Sequence, residues 1–186
     1  MFDKSKLKKC GKGVQIFENV IITNPENVEI DDYARIDDFV KIIGTGGVKI
    51  GKYVHIASFS SVIGRGGFEI GDYSGLSCYC HVMTEAADES GKCMTNAPIP
   101  SEFRQYYDIG KVIIGKYVDI STGNVIFPNV KIATGIVTMV NTVINNDLTF
   151  PWTIYGGSPA RPVKSRESKI ILKMEKELEK RYGSTT

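Results

Sequence analysis

The side chains best placed by type and neighbourhood to move a proton lie around one stretch of this chain. His81 stands just before residues 83–111, and that segment opens with Glu85, Asp88 and Glu89. An imidazole or a carboxylate is the group that takes a proton from a nucleophile in general-base chemistry. The other histidine, His55, lies in a repetitive region and reads as structural or surface-lining. The neighbourhood also suggests a metal, because Cys78, Cys80, His81 and Cys93 are zinc-type ligands. The repeat register set out below turns Cys80 inward and His81 outward, so one ion cannot meet both and no metal site is expected. Further on, Arg161, Lys164 and Arg166 make a basic turn of the residue types that bind phosphate.

What positions these groups is a repeat. Ile30-Asp31-Asp32-Tyr33 returns as Ile50-Gly51-Lys52-Tyr53 and again as Ile70-Gly71-Asp72-Tyr73. Within each copy a large aliphatic residue recurs at every sixth place: Ile30, Ile36, Ile42, then Ile50, Ile56, Val62, then Ile70, Leu76, Val82. A period of six fits neither a helix nor simple alternation. It fits a three-sided prism of short strands, a parallel β-helix in which each copy buries its apolar residues only against its neighbours. Gly44-Thr45-Gly46-Gly47 and Gly64-Arg65-Gly66-Gly67 mark one corner, and Tyr33, Tyr53, Tyr73 and Tyr117 read as an external ladder.

The pattern breaks once. Val82 is followed by residues 83–111 before the register resumes at Val112, where earlier coils cross the same corner in five residues. Long insertions in compact repeat domains are functional or disordered. Ile99, Phe103, Tyr106 and Tyr107 among prolines favour an ordered arm. The repeat then runs on as Ile114, Ile120, Ile126, Ile132, Thr138 and Ile144, ended by Asn145-Asn146-Asp147. The prism with its insertion spans residues 1–164. Residues 165–186 form a C-terminal helix and tail, with Ile170, Ile171, Met174 and Leu178 at helical spacing, which caps the open end or packs on a neighbouring subunit.

Composition narrows the classes further. A net charge of +2 argues against nucleic acid as the main partner, and no apolar run approaches a membrane span. The start of the chain leads into no signal-peptide core, so a cytoplasmic protein with free thiols is expected.

The repeats, the single long loop, the segment Val118-Asp119-Ile120-Ser121-Thr122-Gly123-Asn124-Val125-Ile126-Phe127-Pro128-Asn129 and the ending Tyr155-Gly156-Gly157-Ser158-Pro159-Ala160-Arg161-Pro162 together resemble the hexapeptide-repeat acyltransferases. The sugar and xenobiotic O- and N-acetyltransferases are the most similar branch. The resemblance implies an all-β fold, a left-handed parallel β-helix with a C-terminal α-helix, assembled as a homotrimer with acetyl-CoA as co-substrate in the grooves between subunits. It also implies that pantetheine runs past Ser121, Gly123, Met139 and Asn141, with Arg161, Lys164 and Arg166 near the CoA phosphates. In many relatives a histidine near the start of the loop is the general base. The matching place here, about Ala87 to Glu89, has none.

That departure favours an amine as acceptor, because a neutral amine already offers a lone pair whereas a hydroxyl needs a base worth about 10² to 10⁴ in rate. The expectation is an acetyl-CoA-dependent acetyltransferase acting on an amino sugar, carried on a nucleotide by the family's habit, in surface-glycan synthesis. Asp88 or Glu85 would orient the amine and accept its proton late, while a backbone N–H of the coil wall holds the oxyanion. Three alternatives stand beside it. One is sugar O-acetylation with His81 as base, and another is a non-catalytic structural module. The third is a γ-type carbonic anhydrase, for whose three zinc histidines this chain has too few.

Overall fold

The computed structural model describes residues 2–182, so the end of the expected C-terminal tail, 183–186, lies outside it. The chain forms a left-handed parallel β-helix. Each of six full coils gives one short strand to each of three parallel sheets, and a partial seventh coil follows. The first side stacks Val28–Ile30, Val48–Ile50, Phe68–Ile70 and Val112–Ile114; the second includes Arg35–Ile36, His55–Ile56, Gly75–Leu76 and Asp119–Ile120; the third includes Lys41–Ile43, Ser61–Ile63, His81–Met83 and Val125–Ile126.

The register read from the sequence is the register observed. Ile30, Ile50, Ile70 and Ile114 lie on one another, as do Ile36, Ile56, Leu76 and Ile120, and Ile42, Val62, Val82 and Ile126. All are buried. Each such side chain contributes about 1.5–3 kcal/mol when fully buried, which is why the six-residue period dominates the sequence.

The corners show more than the spacing did. On the edge between the first and second sides, Tyr33, Tyr53, Tyr73 and Tyr117 stack with ring centroids 5.0–5.4 Å apart. Trp152 then continues the ladder at 5.7 Å from Tyr117. All five adopt left-handed backbone angles, φ between 51° and 59°. That conformation costs a residue with a side chain about 1–2 kcal/mol, which ring stacking offsets in part. Between Tyr117 and Trp152 the intervening coil places Gly135 (φ 75°), where a Cβ would lie 2.4 Å from the indole. A second ladder, Phe39–Phe59–Tyr79, runs along the edge between the second and third sides.

Two expectations change at the C-terminal end. The coils do not stop at Asn145–Asp147, because Leu148 bridges to Ile132 and Ile154–Tyr155 pair with Val137–Thr138, with Leu148 and Tyr155 taking the buried positions. Residues Arg161–Ser165 then return as an antiparallel strand on Thr153–Gly156, so the helix begins only at Lys169 and runs to Tyr182. It does not cap the open end. It lies along the tyrosine edge, with the Glu175 and Glu179 carboxylates beside Tyr117, Tyr73 and Lys116. Burial first, and then these carboxylates, push the Tyr73 hydroxyl up to about 12 and that of Tyr117 further in the same direction. No helix among the described residues is long and apolar enough to cross a membrane.

Candidate active site

The insertion is an ordered arm rooted at the third corner. Glu85–Ala87 pairs antiparallel with Tyr107–Ile109, so the two ends of the loop close on each other. Arg104 braces the tip, donating from Nε to the Ile99 carbonyl and from Nη1 to the Tyr107 hydroxyl, both at 2.6 Å. Of the four expected anchors Ile99 and Tyr107 are half-buried, whereas Phe103 and Tyr106 are exposed.

Asp88 and Glu85, expected to share the proton, have different surroundings. The Asp88 carboxylate accepts from Ser90 N (3.0 Å), Ser90 Oγ (2.6 Å) and Lys92 N (2.7 Å). Those donors, led by the Ser90 hydroxyl, hold its pKa down to about 2. It faces a hollow of about 420 Å³ lined also by Glu89, Lys92, Tyr106, Tyr107, Asp108 and Phe127. Glu85 is absent from that hollow. It forms a two-pronged ion pair with Arg65 (2.9 and 2.7 Å), whose guanidinium also lies over the Tyr107 ring, and so it anchors the root of the arm. Arg65 was legible in the sequence, one 20-residue period before Glu85.

His81 is exposed on the third side, with Nδ1 2.9 Å from Ser61 Oγ. Cys80, its neighbour, is fully buried, and burial pushes its thiol up to about 11, which makes it inert. The two residues point to opposite sides of the wall, as the register required.

The residues expected along pantetheine line the second corner in the fifth and sixth coils. Their backbone groups are largely engaged inside the prism. Asn124, fully buried, donates to the carbonyls of Ser121 (2.7 Å) and Met139 (2.9 Å), and Thr142 Oγ1 donates to Met139 as well. The N–H of Gly123 bonds Cys78 and that of Asn141 bonds Thr122. These four residues therefore present a shaped edge rather than a row of free donors. Gly123 (φ 75°) is fixed by both angle and space, since a Cβ would meet the Asn141 side chain at 2.2 Å.

The three expected cations divide. Arg161 and Lys164 are exposed on the returning strand. Arg166 is half-buried: its Nη1 donates to the carbonyls of Tyr117 (2.6 Å) and Gly135 (2.9 Å), and its guanidinium lies 5.7 Å from the Trp152 ring. It locks the return strand onto the tyrosine edge. Nothing in its spacing distinguished it from the other two.

Asp88 and the Ser121–Asn141 edge occupy different corners of one chain, a whole side of the prism apart. A side of six residues at about 3.3 Å each is up to ~20 Å long. A separate hollow of about 270 Å³ opens on the second side beside that edge, lined by His55, Ala57, Gly75, Ser77, Cys78, Asp119 and Thr122. His55 there is fixed by Asp37, Nε2 to Oδ2 at 2.8 Å, and Asp37 also holds Arg35 at 2.6 Å.

No family model matches the chain. It is 34% identical over 165 residues to the dTDP-4-amino-4,6-dideoxy-D-glucose acyltransferase of Escherichia coli, which covers 88% of this chain and 85% of that one. AntD, an N-acyltransferase from Bacillus cereus, has been solved with dTDP and 3-hydroxybutyryl-CoA; it matches with a TM-score of 0.88 at 33% identity, over 97% of this chain and 94% of its own. A variant of AntD in complex with dTDP and coenzyme A gives 0.87 at 33% identity, over 95% and 94%. The maltose O-acetyltransferase of Clostridium difficile 630, at 20% identity and a TM-score of 0.60 over 89% and 73%, shares the fold alone.

Proposed function

Because the chain belongs to the hexapeptide-repeat acyltransferases, which draw on an acyl-CoA, we propose that it transfers a short acyl group, acetyl in the simplest case, to the amino group of a nucleotide-linked amino sugar. The observation that carries this reading is the arm. It places an ionised Asp88, and no histidine, at a hollow of about 420 Å³, which this reading assigns to the acceptor. The acceptors named for the E. coli relative and bound by AntD are of the same class, a dTDP-linked amino-dideoxyglucose.

In this mechanism the neutral amine attacks the thioester carbonyl, the oxyanion is held by a backbone N–H of the coil wall, and the C–S bond breaks to leave an amide and a thiolate. Asp88 orients the amine and balances the positive charge that develops on nitrogen. It does not keep the proton. A thiolate of ordinary pKa, about 8.5, takes it in preference to a carboxylate held at about 2, so CoA leaves as the thiol. The product is an activated glycosyl donor, which suits a cytoplasmic step before surface-glycan assembly. Because one chain keeps Asp88 a full side away from the CoA edge, the complete site lies between subunits of a homotrimer, the arm of one meeting the edge of the next.

Release of CoA is measured with acetyl-CoA and dTDP-linked amino sugars or their hydroxyl counterparts, using wild type, Asp88→Asn and His81→Ala. Amine-only turnover that survives His81→Ala and falls with Asp88→Asn supports the reading. Hydroxyl-only turnover abolished by His81→Ala replaces it with O-acylation. The shared site is tested by refolding Asp88→Asn with an Arg161→Ala/Lys164→Ala variant in equal amounts. Random trimers then regain about a quarter of wild-type sites if arm and edge come from different chains, and none if they come from one.

A further inference from the structure

On the outer face of the second side one column of residues runs Gln15, Arg35, His55, Gly75, Asp119, Val137 and Ile154. Every coil but one carries a side chain there. The backbone does not require the exception, because Gly75 is not among the glycines with positive φ. Packing opposes a side chain only narrowly: the one atom within 4 Å of an ideal Cβ is the His55 carbonyl oxygen, at 3.3 Å, a tight contact relieved by a shift of a few tenths of an ångström. What the glycine does is open the 270 Å³ hollow between His55 and Asp119, with Ala57, Ser77, Cys78 and Thr122 around it.

The place of this hollow along the prism gives it an occupant. Descending the second corner, Arg161 pairs with the seventh coil through Gly156, Met139–Asn141 turn in the sixth, Ser121–Gly123 in the fifth and Ser77–Cys78 in the fourth. The strand Arg161–Ser165 lies one step beyond the seventh coil and coils step by about 4.8 Å, so three steps from the cation cover ~14 Å and reach the fifth coil, where Asp119 and Thr122 border the hollow. A pantetheine arm, with its two amide units and linkers, is as long as about four extended residues, also ~14 Å. A CoA with its phosphates at Arg161 and Lys164 therefore delivers its thioester to the mouth of the hollow. We infer that the notch at Gly75 is the acyl pocket, and that the missing side chain sets the length of acyl group the enzyme accepts.

This inference rests on the acyl-CoA reading above. Its small lining residues, Ala57, Gly75 and Cys78, leave room for more than an acetyl group, while His55 and Thr122 at the rim offer polar contacts to a hydroxylated chain. Each methylene group that enters an apolar pocket favours binding by about fourfold. The two that separate butanoyl from acetyl are therefore worth about fifteenfold.

Calorimetry with acetyl-CoA, butanoyl-CoA, 3-hydroxybutanoyl-CoA and free CoA, on wild type, Gly75→Ala and Gly75→Val, tests the pocket without an acceptor. Valine stands in the same column at Val137, and a melting curve checks that each variant is folded. The expected result is a butanoyl-to-acetyl affinity ratio that drops at least tenfold in Gly75→Val and by an intermediate factor in Gly75→Ala. A ratio unmoved by valine, with CoA still bound, overturns the pocket and leaves the acyl-CoA reading intact. A wild type that binds no CoA overturns both.

Discussion

Arg166 separates two accounts of the basic turn. If it acts on the fold, Arg166→Ala removes a cation that donates to the Tyr117 and Gly135 carbonyls at 2.6 and 2.9 Å and faces the Trp152 ring. Hydrogen bonds from a charged donor contribute about 1.5–3 kcal/mol each, and the lower end applies because water reaches these carbonyls once the side chain is gone. The indole contact adds about 0.5–1 kcal/mol. The total, about 3–4 kcal/mol, falls on the last coil and the strand Arg161–Ser165. For a chain of this size each kcal/mol moves Tm by about 2–4 °C, so the variant should melt roughly 6–16 °C lower. Its KM for acetyl-CoA and for 3′-dephospho-acetyl-CoA should change by the same factor. The reasoning fails if Tm stays within about 2 °C while the KM for acetyl-CoA rises tenfold and that for the dephosphorylated form does not. That outcome would make Arg166 a phosphate ligand.

Gly135→Ala should destabilise by about 2–4 kcal/mol in the same melting assay, combining a left-handed φ with a Cβ driven into the indole of Trp152. Arg65→Ala should leave Tm within about 3 °C, since the pair it breaks is partly exposed, yet quicken proteolysis within residues 88–106. Asp88 has a depressed pKa, so its contribution to the order of the arm is complete above about pH 4 and is lost as pH falls towards 2. Above pH 5 the carboxylate is always ionised. The acid limb of kcat/KM therefore follows protonation of the acceptor amine, and Asp88→Asn should lower the plateau without moving that limb.

The fold was legible because its strongest energy term, burial of one aliphatic residue per side, repeats with the period of the backbone. The tyrosine ladder was legible for the same reason. Phe39, Phe59 and Tyr79 repeat at the same interval, so the second ladder carried an equal signal, hidden by the change of residue type. Trp152 was not legible from period: the later coils are shorter, and Gly135 takes the intervening place on that edge. The helix turns Glu175 and Glu179 towards the phenol groups and Lys116 with Ile171 and Leu178 half-buried on the same face, while Ile170 and Met174 are exposed, so its apolar spacing reports only part of the contact. In the site, Asp88-Glu89-Ser90 contained its own explanation, a carboxylate capped two residues on. Which acid faces the hollow followed instead from Arg65, one coil away.

The chemistry assigned to the chain depends on a division between what is rigid and what is inserted. The coil wall is held by inward columns and by Asn124 and Thr142 drawing the Ser121 and Met139 carbonyls inward, so the distances along the second corner are fixed by pitch alone. A ligand lying along it meets groups at set intervals of about 4.8 Å. The arm cannot inherit such precision from the repeat and supplies its own. Arg104 braces the tip, Arg65 and Glu85 fix the root, and three local donors fix the Asp88 carboxylate. A carboxylate already oriented and charged needs no rearrangement when nitrogen becomes positive, which is the condition under which an electrostatic group lowers a barrier rather than merely binding substrate.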